Sequence, residues 1–112
     1  MEHISWTDFE KMDIRTGTII EATVFSRAKK PPYQLKIDFG EGIGIKQSSA
    51  QITRHYSTDD LKGVQVVAVL NFLPKNIAGF ISDCLVLGVS HDNNYVILLT
   101  PKSSVSNGQK IG

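Results

Sequence analysis

The sequence has 112 residues, of which 41% are hydrophobic and 21% charged, and its formal net charge is +1. This length and composition predict one globular domain that covers residues 1–112. The near-neutral charge argues against a surface covered in positive charge, so any binding of nucleic acid would depend on a local basic patch.

The sequence also limits where the protein acts and what chemistry it performs. No stretch approaches the roughly 20 apolar residues that span a bilayer, and the N-terminus lacks the basic region and apolar run of a signal peptide. We therefore expect a cytoplasmic protein with no membrane insertion. Cys84 is the only cysteine and lies in an apolar run, which predicts a buried thiol and excludes an internal disulfide. The three histidines share no motif, so we expect neither a metal ion nor a cofactor.

The N-terminal third predicts a short helix and a long strand. Thr7 and Glu10 have the spacing of a capping box, and the helix that they begin should end by Met12. From Ile14 to Phe25 the chain is rich in β-branched residues, and Gly17 within it predicts a bulge or a sharp bend. A basic loop with paired prolines follows at Ser26–Pro32.

The clearest pattern is a β-hairpin. Apolar and polar residues alternate through Tyr33–Phe39, and the same period returns at Ile43–Gln47 after a turn at Gly40–Gly42. These glycines do not predict a phosphate-binding loop, because a strand follows them where nucleotide motifs require a helix.

The remainder predicts two short helical turns and three further strands. Ser48 or Ser49 could cap a short helix through Arg54, and Ser57 or Thr58 could cap a second turn that stops at Gly63. The later elements are a strand at Val64–Leu70, a loop at Asn71–Ser82, a strand at Cys84–Val89, a turn at Asp92–Asn94, a strand at Tyr95–Leu99 and a tail with a turn at Asn107–Gly108.

Five main strands with a helix after the third predict an all-β fold. This order matches the five-stranded oligonucleotide/oligosaccharide-binding (OB) barrel, here with a short N-terminal helix added. Strand spacing alone would also permit another small barrel.

Several segments resemble one family. Asp8–Gly17 resembles the opening of the CsaA proteins and related tRNA-binding domains, and Ile37–Gly40 and Ile43–Thr53 are similar to the CsaA version in particular. Asn71–Phe72 and Leu85–Gly88 continue the likeness. The resemblance implies an OB-fold homodimer that acts as an export-related chaperone for unfolded or precursor polypeptides. The same domain, attached to some tRNA synthetases, grips tRNA, so tRNA is the alternative ligand.

The sequence differs from the tRNA-binding members at three places. Ser49-Ala50-Gln51 stands where stand-alone tRNA binders tend to read Ser-Gly-Leu, and Ser82–Leu85 stands where they read Ser-Glu-Gly-Met. Lys75 is followed by Asn76, where many relatives have a second basic residue. These differences favour the CsaA subgroup over a dedicated tRNA binder.

We predict that the ligand, peptide or RNA, is bound by polar, basic and aromatic residues near the end of the third strand and in the later loop. The predicted binding residues are Lys46, Gln47, Ser49, Gln51, Asn71, Lys75, Phe80 and Ser82. Surface solvation, helix capping and core packing are the alternatives for individual members. We expect Phe72 to pack in the core and Phe80 to be exposed.

Trp6, Phe9, Val105 and Ile111 are the predicted dimer interface, with packing inside one subunit as the alternative. A search for a nucleophile with its base, a phosphate loop or a metal cluster finds none in the sequence, so we do not expect an enzyme.

Overall fold

The computed structural model describes residues 1–24, 32–52, 56–91 and 95–112. Most of the predicted basic loop, Arg54 and the predicted turn at Asp92–Asn94 lie outside these residues. The described elements are α1 (Trp6–Glu10), β1 (Ile14–Val24), β2 (Tyr33–Asp38), β3 (Ile45–Ala50), α2 (Thr58–Leu61), β4 (Gln65–Val69), β5 (Lys75–Ile77), β6 (Phe80–Ser82), β7 (Leu85–Val86), β8 (Gly88–His91) and β9 (Tyr95–Leu98).

A five-stranded antiparallel sheet with the order β3-β2-β1-β4-β7 forms the body of the protein. The sheet curls until β3 reaches the segment between β6 and β7. There the amide of Asp83 donates to the carbonyl of Gln47 at 3.0 Å, and the amide of Gln47 donates to the Asp83 carboxylate at 2.8 Å. These bonds nearly close the barrel, and the predicted OB-type fold is confirmed.

The core lies inside this barrel, and the alternation in β2 builds much of it. Tyr33, Leu35, Ile37 and Phe39 are all buried, as their period of two predicts. They pack in one cluster with residues from the other strands and from α2: Ile19, Ile52, Leu61, Val66, Ala68, Cys84 and Leu98.

The bend in β1 is not at Gly17, so that prediction is wrong. The register of β1 against β2 shifts between Ile19 and Glu21. Gly17 serves a different purpose, because a Cβ atom there would lie 2.7 Å from the side chains of both Ile37 and Phe39. Glycine therefore lets β1 approach the core residues of β2 closely.

The helix caps confirm one prediction and correct two. Ser57, one of the two predicted caps, is the cap of α2: its hydroxyl accepts from the amide of Asp60, and the Asp60 carboxylate completes a capping box that was not predicted. α1 is capped by Ser5, not by Thr7: the Ser5 hydroxyl accepts from the amide of Asp8 at 3.0 Å. Ser48 and Ser49 cap no helix, because both lie within β3.

The predicted loop at Asn71–Ser82 contains a small hairpin. β5 and β6 pair through three residues each, and the chain turns at Ala78 and Gly79, whose φ angles are 50° and 89°. Two consecutive positive φ angles are typical of a type I′ hairpin turn. The predicted strand at Cys84–Val89 is divided at Leu87 into β7 and β8, and β8 forms a second hairpin with β9.

The C-terminal segment packs along β1. The amide of Thr16 donates to the carbonyl of Gln109, and the amide of Ile111 donates to the carbonyl of Ile14. Gly108 has a φ of +82°, which agrees with the turn predicted there. Across the described residues, no helix is long and apolar enough to cross a membrane.

Candidate ligand-binding groove

The largest of three adjoining pockets, which we call the main pocket, lies between β3 and the β5–β6 hairpin. Its volume is about 360 Å³. It is lined by Ser49, Phe72, Leu73, Lys75, Ile77, Ser82, Asp83, Cys84 and Leu85.

Two smaller pockets extend the main pocket along β3. The lysine pocket has a volume of about 270 Å³ and is lined by Lys36, Ile45, Lys46, Gln47 and Asp83. The small pocket has a volume of about 160 Å³ and is lined by Ser48, Ser49, Ala50, Gln51, Ile52, Leu85, Val86, Val96 and Leu98. Asp83 is shared by the main and lysine pockets, and Ser49 and Leu85 by the main and small pockets. The three pockets therefore form one continuous surface, which we call the β3 groove.

Hydrogen bonds between β3 and β6 hold the polar residues of the groove in place. The Ser82 hydroxyl accepts from the amide of Ser49 at 3.2 Å and donates to the carbonyl of Cys84 at 3.3 Å. The Gln47 side-chain amide donates to the carbonyl of Ile81 at 2.8 Å. Ser82 and Gln47 thus position the groove as well as line it.

The apolar wall of the main pocket is unusually exposed. Phe72 is 54%, Leu73 92% and Leu85 48% exposed. The prediction that Phe72 packs in the core is therefore wrong. Sequence reasoning missed Leu73 and Leu85 as groove residues. Phe72 and Leu73 stand directly before Pro74 in the predicted loop. Two large apolar residues at this place could have indicated an exposed binding surface.

The charged groups of the groove are mixed in sign. The ammonium of Lys36 lies 3.6 Å from the carboxylate of Glu21. None of the ion pairs found among the described residues involves Lys46 or Lys75. Asp83, which the sequence did not single out as a binding residue, places a carboxylate between the main and lysine pockets. The groove can therefore offer both cationic and anionic partners to a ligand.

Cys84 lines the main pocket without being a reactive nucleophile. Burial, followed by the nearby Asp83 carboxylate, raises the pKa of its thiol from 9.0 to about 12. A thiol with this pKa stays protonated at neutral pH and is a poor nucleophile. Within the described ranges, no group of three or more His, Cys, Asp or Glu side chains is placed to hold a metal ion.

The structure brings six of the eight predicted binding residues into the β3 groove: Lys46, Gln47, Ser49, Gln51, Lys75 and Ser82.

Asn71 and Phe80 do not line any of these three pockets. The side-chain amide of Asn71 donates to the carbonyl of Lys11 at 2.7 Å, and its oxygen accepts from the amide of Asp13 at 2.9 Å. Asn71 therefore joins the entry to β1 to the end of β4. Phe80, expected to be exposed, is half-buried in β6.

The four predicted interface residues fall into two groups. Trp6 and Val105 are exposed, by 83% and 42%. Phe9 and Ile111 are partly buried within the same chain. The backbone of Val105 is held by Gln65, whose side-chain oxygen accepts from the Val105 amide at 3.0 Å.

Comparison with known proteins identifies the family. The family model "Putative tRNA binding domain" matches residues 14–110. The crystal structure of chaperone CsaA from Bacillus anthracis superposes with a TM-score of 0.94 at 48% identity, covering 99% of this chain and 100% of that one. The CsaA chaperone from Picrophilus torridus superposes with a TM-score of 0.90 at 50% identity, covering 98% of this chain and 100% of that one.

A methionine–tRNA ligase of Parabacteroides distasonis is 30% identical over 110 residues, which are 98% of this chain and 16% of the ligase. The likeness to this enzyme therefore concerns a small part of it, and the matching families are families of binding domains. Because the family model covers residues 14–110 and two CsaA structures align over nearly the whole chain, the protein belongs to the CsaA family of tRNA-binding-domain proteins.

Proposed function

We propose that the protein is a chaperone that binds unfolded or precursor polypeptides in the β3 groove. The observation that carries the proposal is the exposed apolar wall of Phe72, Leu73 and Leu85 around a pocket of about 360 Å³. Burying such side chains against an apolar ligand is favourable by roughly 25 cal/mol per Å² of apolar surface. Exposed apolar surface rimmed by polar groups is typical of a binding groove for an apolar partner.

The electrostatics of the main pocket support a polypeptide ligand. Its lining contains one lysine, Lys75, and one aspartate, Asp83. A polyanion would meet attraction at the first and repulsion at the second. The hydroxyl groups of Ser49 and Ser82 provide neutral hydrogen-bonding partners, which suit the backbone of a polypeptide that has no fixed sequence.

The same proposal includes the cellular setting. The resemblance to CsaA chaperones suggests that the clients are precursors on their way to export, met in the cytoplasm before they fold. A client whose apolar segments are still exposed is the kind of ligand that the wall of the main pocket can accept.

We further propose that the active form is a homodimer with an interface formed by Trp6, Phe9, Val105 and Ile111, in which the exposed Trp6 and Val105 make the main contacts. The support is the exposure of Trp6, by 83%, since Trp is among the side chains that gain most from burial at interfaces. Sedimentation equilibrium tests it: the wild-type protein should be dimeric, and Trp6→Ser should shift the population towards monomer.

The test of the polypeptide proposal is a fluorescence titration with a permanently unfolded, labelled polypeptide at several salt concentrations. Phe72→Ser/Leu73→Ser removes most of the exposed wall, and we expect it to weaken binding at least about tenfold. Ile4→Ser is the matched control, because Ile4 is 73% exposed and lies outside the three pockets. The control should bind as the wild type does.

The salt dependence separates apolar from ionic binding. Affinity from apolar burial should persist between low and high salt. Wild-type binding that collapses with salt, or that survives Phe72→Ser/Leu73→Ser unchanged, would contradict the proposal.

A second candidate function is binding of structured RNA, tRNA in particular. It is favoured by the family description and by the two ammonium groups of Lys46 and Lys75, which have no ion-pair partner among the described residues. Phosphate contacts release counterions, so this affinity should fall steeply with salt. Micromolar or tighter tRNA binding that Lys46→Ala/Lys75→Ala abolishes would make RNA the primary ligand; binding no tighter than that of a generic polyanion would exclude this candidate.

A further inference from the structure

A row of exposed apolar side chains runs along β7, β8 and β9. Leu85, Leu87 and Val89 are two residues apart along extended chain, and Ile97 is the cross-strand partner of Val89. The amide of Leu99 donates to the carbonyl of Leu87, which places Leu99 beside it. Because side chains alternate between faces of a strand, these five residues share one face. We call them the outer strip.

The opposite face of the same strands points into the barrel. Leu98 is buried in the core, and Val86 and Val96 pack against it. None of the outer strip belongs to that core cluster. Its members are exposed by 48% at Leu85, 53% at Val89, 39% at Ile97 and 41% at Leu99, and Leu87 is partly buried.

Exposure of a row of apolar side chains to water is unfavourable. The solvent face of an antiparallel sheet ordinarily carries polar side chains, and a contiguous apolar patch marks an interaction site. Binding of nucleic acid needs Lys or Arg beside the phosphates, and the strands β7, β8 and β9 contain neither residue. An apolar segment of polypeptide is the ligand that this chemistry fits.

The outer strip is continuous with the β3 groove. Leu85 belongs to the strip and also lines both the main pocket and the small pocket. A segment of chain that fills the main pocket can therefore continue onto the strip at Leu85.

We propose that the client site is one extended surface, in which the main pocket takes part of an apolar segment and the outer strip takes the rest. This inference rests on the proposed function, and it adds the class of client: a polypeptide with an uninterrupted run of apolar residues. From Leu85 to Val89 the strip spans four residues, or about 13 Å at 3.3 Å per residue. An extended client needs about four residues to cover that length, in addition to those that fill the pocket.

The required run is thus longer than about four apolar residues. The apolar core of a secretory signal peptide is roughly 7–15 residues long, which meets this requirement. A client with only isolated apolar side chains would use the pocket alone and bind more weakly.

Two labelled peptides with the same polar flanks test the proposal, one with three consecutive apolar residues and one with ten. The wild-type protein should bind the long peptide about 10- to 30-fold tighter than the short one, because only the long one can cover the strip. Val89→Thr/Ile97→Thr keeps β-branched side chains in the strands and makes the strip polar. This variant should bind the long peptide only as tightly as it binds the short one. Its affinity for the short peptide should equal that of the wild type.

Val24→Thr is the matched control. Val24 lies on β1, is 56% exposed and is outside the strip, so the substitution should change neither affinity. Thermal unfolding of each variant shows that the fold is retained.

Three results would overturn the inference. If Val89→Thr/Ile97→Thr binds the long peptide as tightly as the wild type does, the client does not reach the strip. If that variant loses dimerisation while its peptide affinities stay unchanged, the strip is an interface between copies of the chain. If the wild type binds neither peptide, the proposed function itself fails. Binding of the short peptide distinguishes the outcomes, because it is retained in the first two results and lost in this one.

Discussion

Replacing Gly17 with alanine probes how closely β1 approaches the core. The added Cβ atom would lie 2.7 Å from Cγ2 of Ile37 and from Cδ1 and Cε1 of Phe39. Carbon atoms in good contact are about 3.5–4.0 Å apart, so the shortfall is about 1 Å. Ile37 and Phe39 are both 0% exposed and are packed on all sides, which leaves neither of them room to move away.

The magnitude follows from overpacking. Forcing extra atoms into a packed core costs about 1–3 kcal/mol. At a strand position with free space for a Cβ atom, replacing glycine with alanine would instead stabilise the protein by roughly 0.5–1 kcal/mol. A loss of stability therefore indicates overpacking, and a gain indicates free space. For a domain of this size we expect Gly17→Ala to lower the melting temperature by about 5–20 °C.

Urea unfolding of Gly17→Ala, Phe39→Leu and the double variant measures the effect. Phe39→Leu removes ring atoms that clash with the new Cβ, so the double variant should lose less free energy of unfolding than the sum of the single variants. We expect a difference of at least about 0.5 kcal/mol. A Gly17→Ala protein that is as stable as the wild type, or more stable, would refute the reasoning.

Three further predictions concern single side chains. Ser57→Ala removes the cap of α2 and should lower the free energy of unfolding by about 1 kcal/mol, measured in urea. Thr16→Val, at a residue only 2% exposed, leaves the Ser106 carbonyl and the Gln109 amide without their hydroxyl partner. It should cost about 1–3 kcal/mol and accelerate hydrogen exchange at Gln109; unchanged exchange would contradict this. The unfolded Cys84 thiol loses its proton near pH 9.0, whereas the folded thiol does so near pH 12. As the pH rises from 9.0 to about 12, the free energy of unfolding should therefore fall by up to about 1.4 kcal/mol per pH unit. The same measurements on Cys84→Ala should not show this fall.

The fold was predictable where one face of a strand is buried. In β2 and at Phe39 directly after it, the burial of Tyr33, Leu35, Ile37 and Phe39 follows directly from the sequence pattern. The pattern failed at Ser48 and Ser49, because polar residues interrupt the alternation there. What keeps them in β3 is partly the Ser82 hydroxyl, which accepts from the amide of Ser49 across 33 positions of sequence. A local pattern cannot report such a contact.

The candidate groove was predictable in part for a similar reason. Polar and basic residues near the end of β3 were identifiable as candidates from their chemistry alone. The exposed wall was not, since Phe72 follows a buried strand and local sequence favours packing it inside. The β5–β6 hairpin was missed because strands of three residues are too short to show a period.

The attachment of the C-terminal segment to β1 has a consequence for the order of folding. The side chain of Arg15 donates to the carbonyl of Gly108 at 3.0 Å, and the amide of Gln109 donates to the hydroxyl of Thr16 across 93 positions of sequence. On the ribosome, the start of β1 at residues 14–16 therefore lacks this partner until almost the whole domain has been synthesised. Contacts this distant in sequence also slow folding, because the intervening chain must be ordered before they form. Until the C-terminal segment is made, the apolar residues of β1 therefore belong to an incomplete barrel.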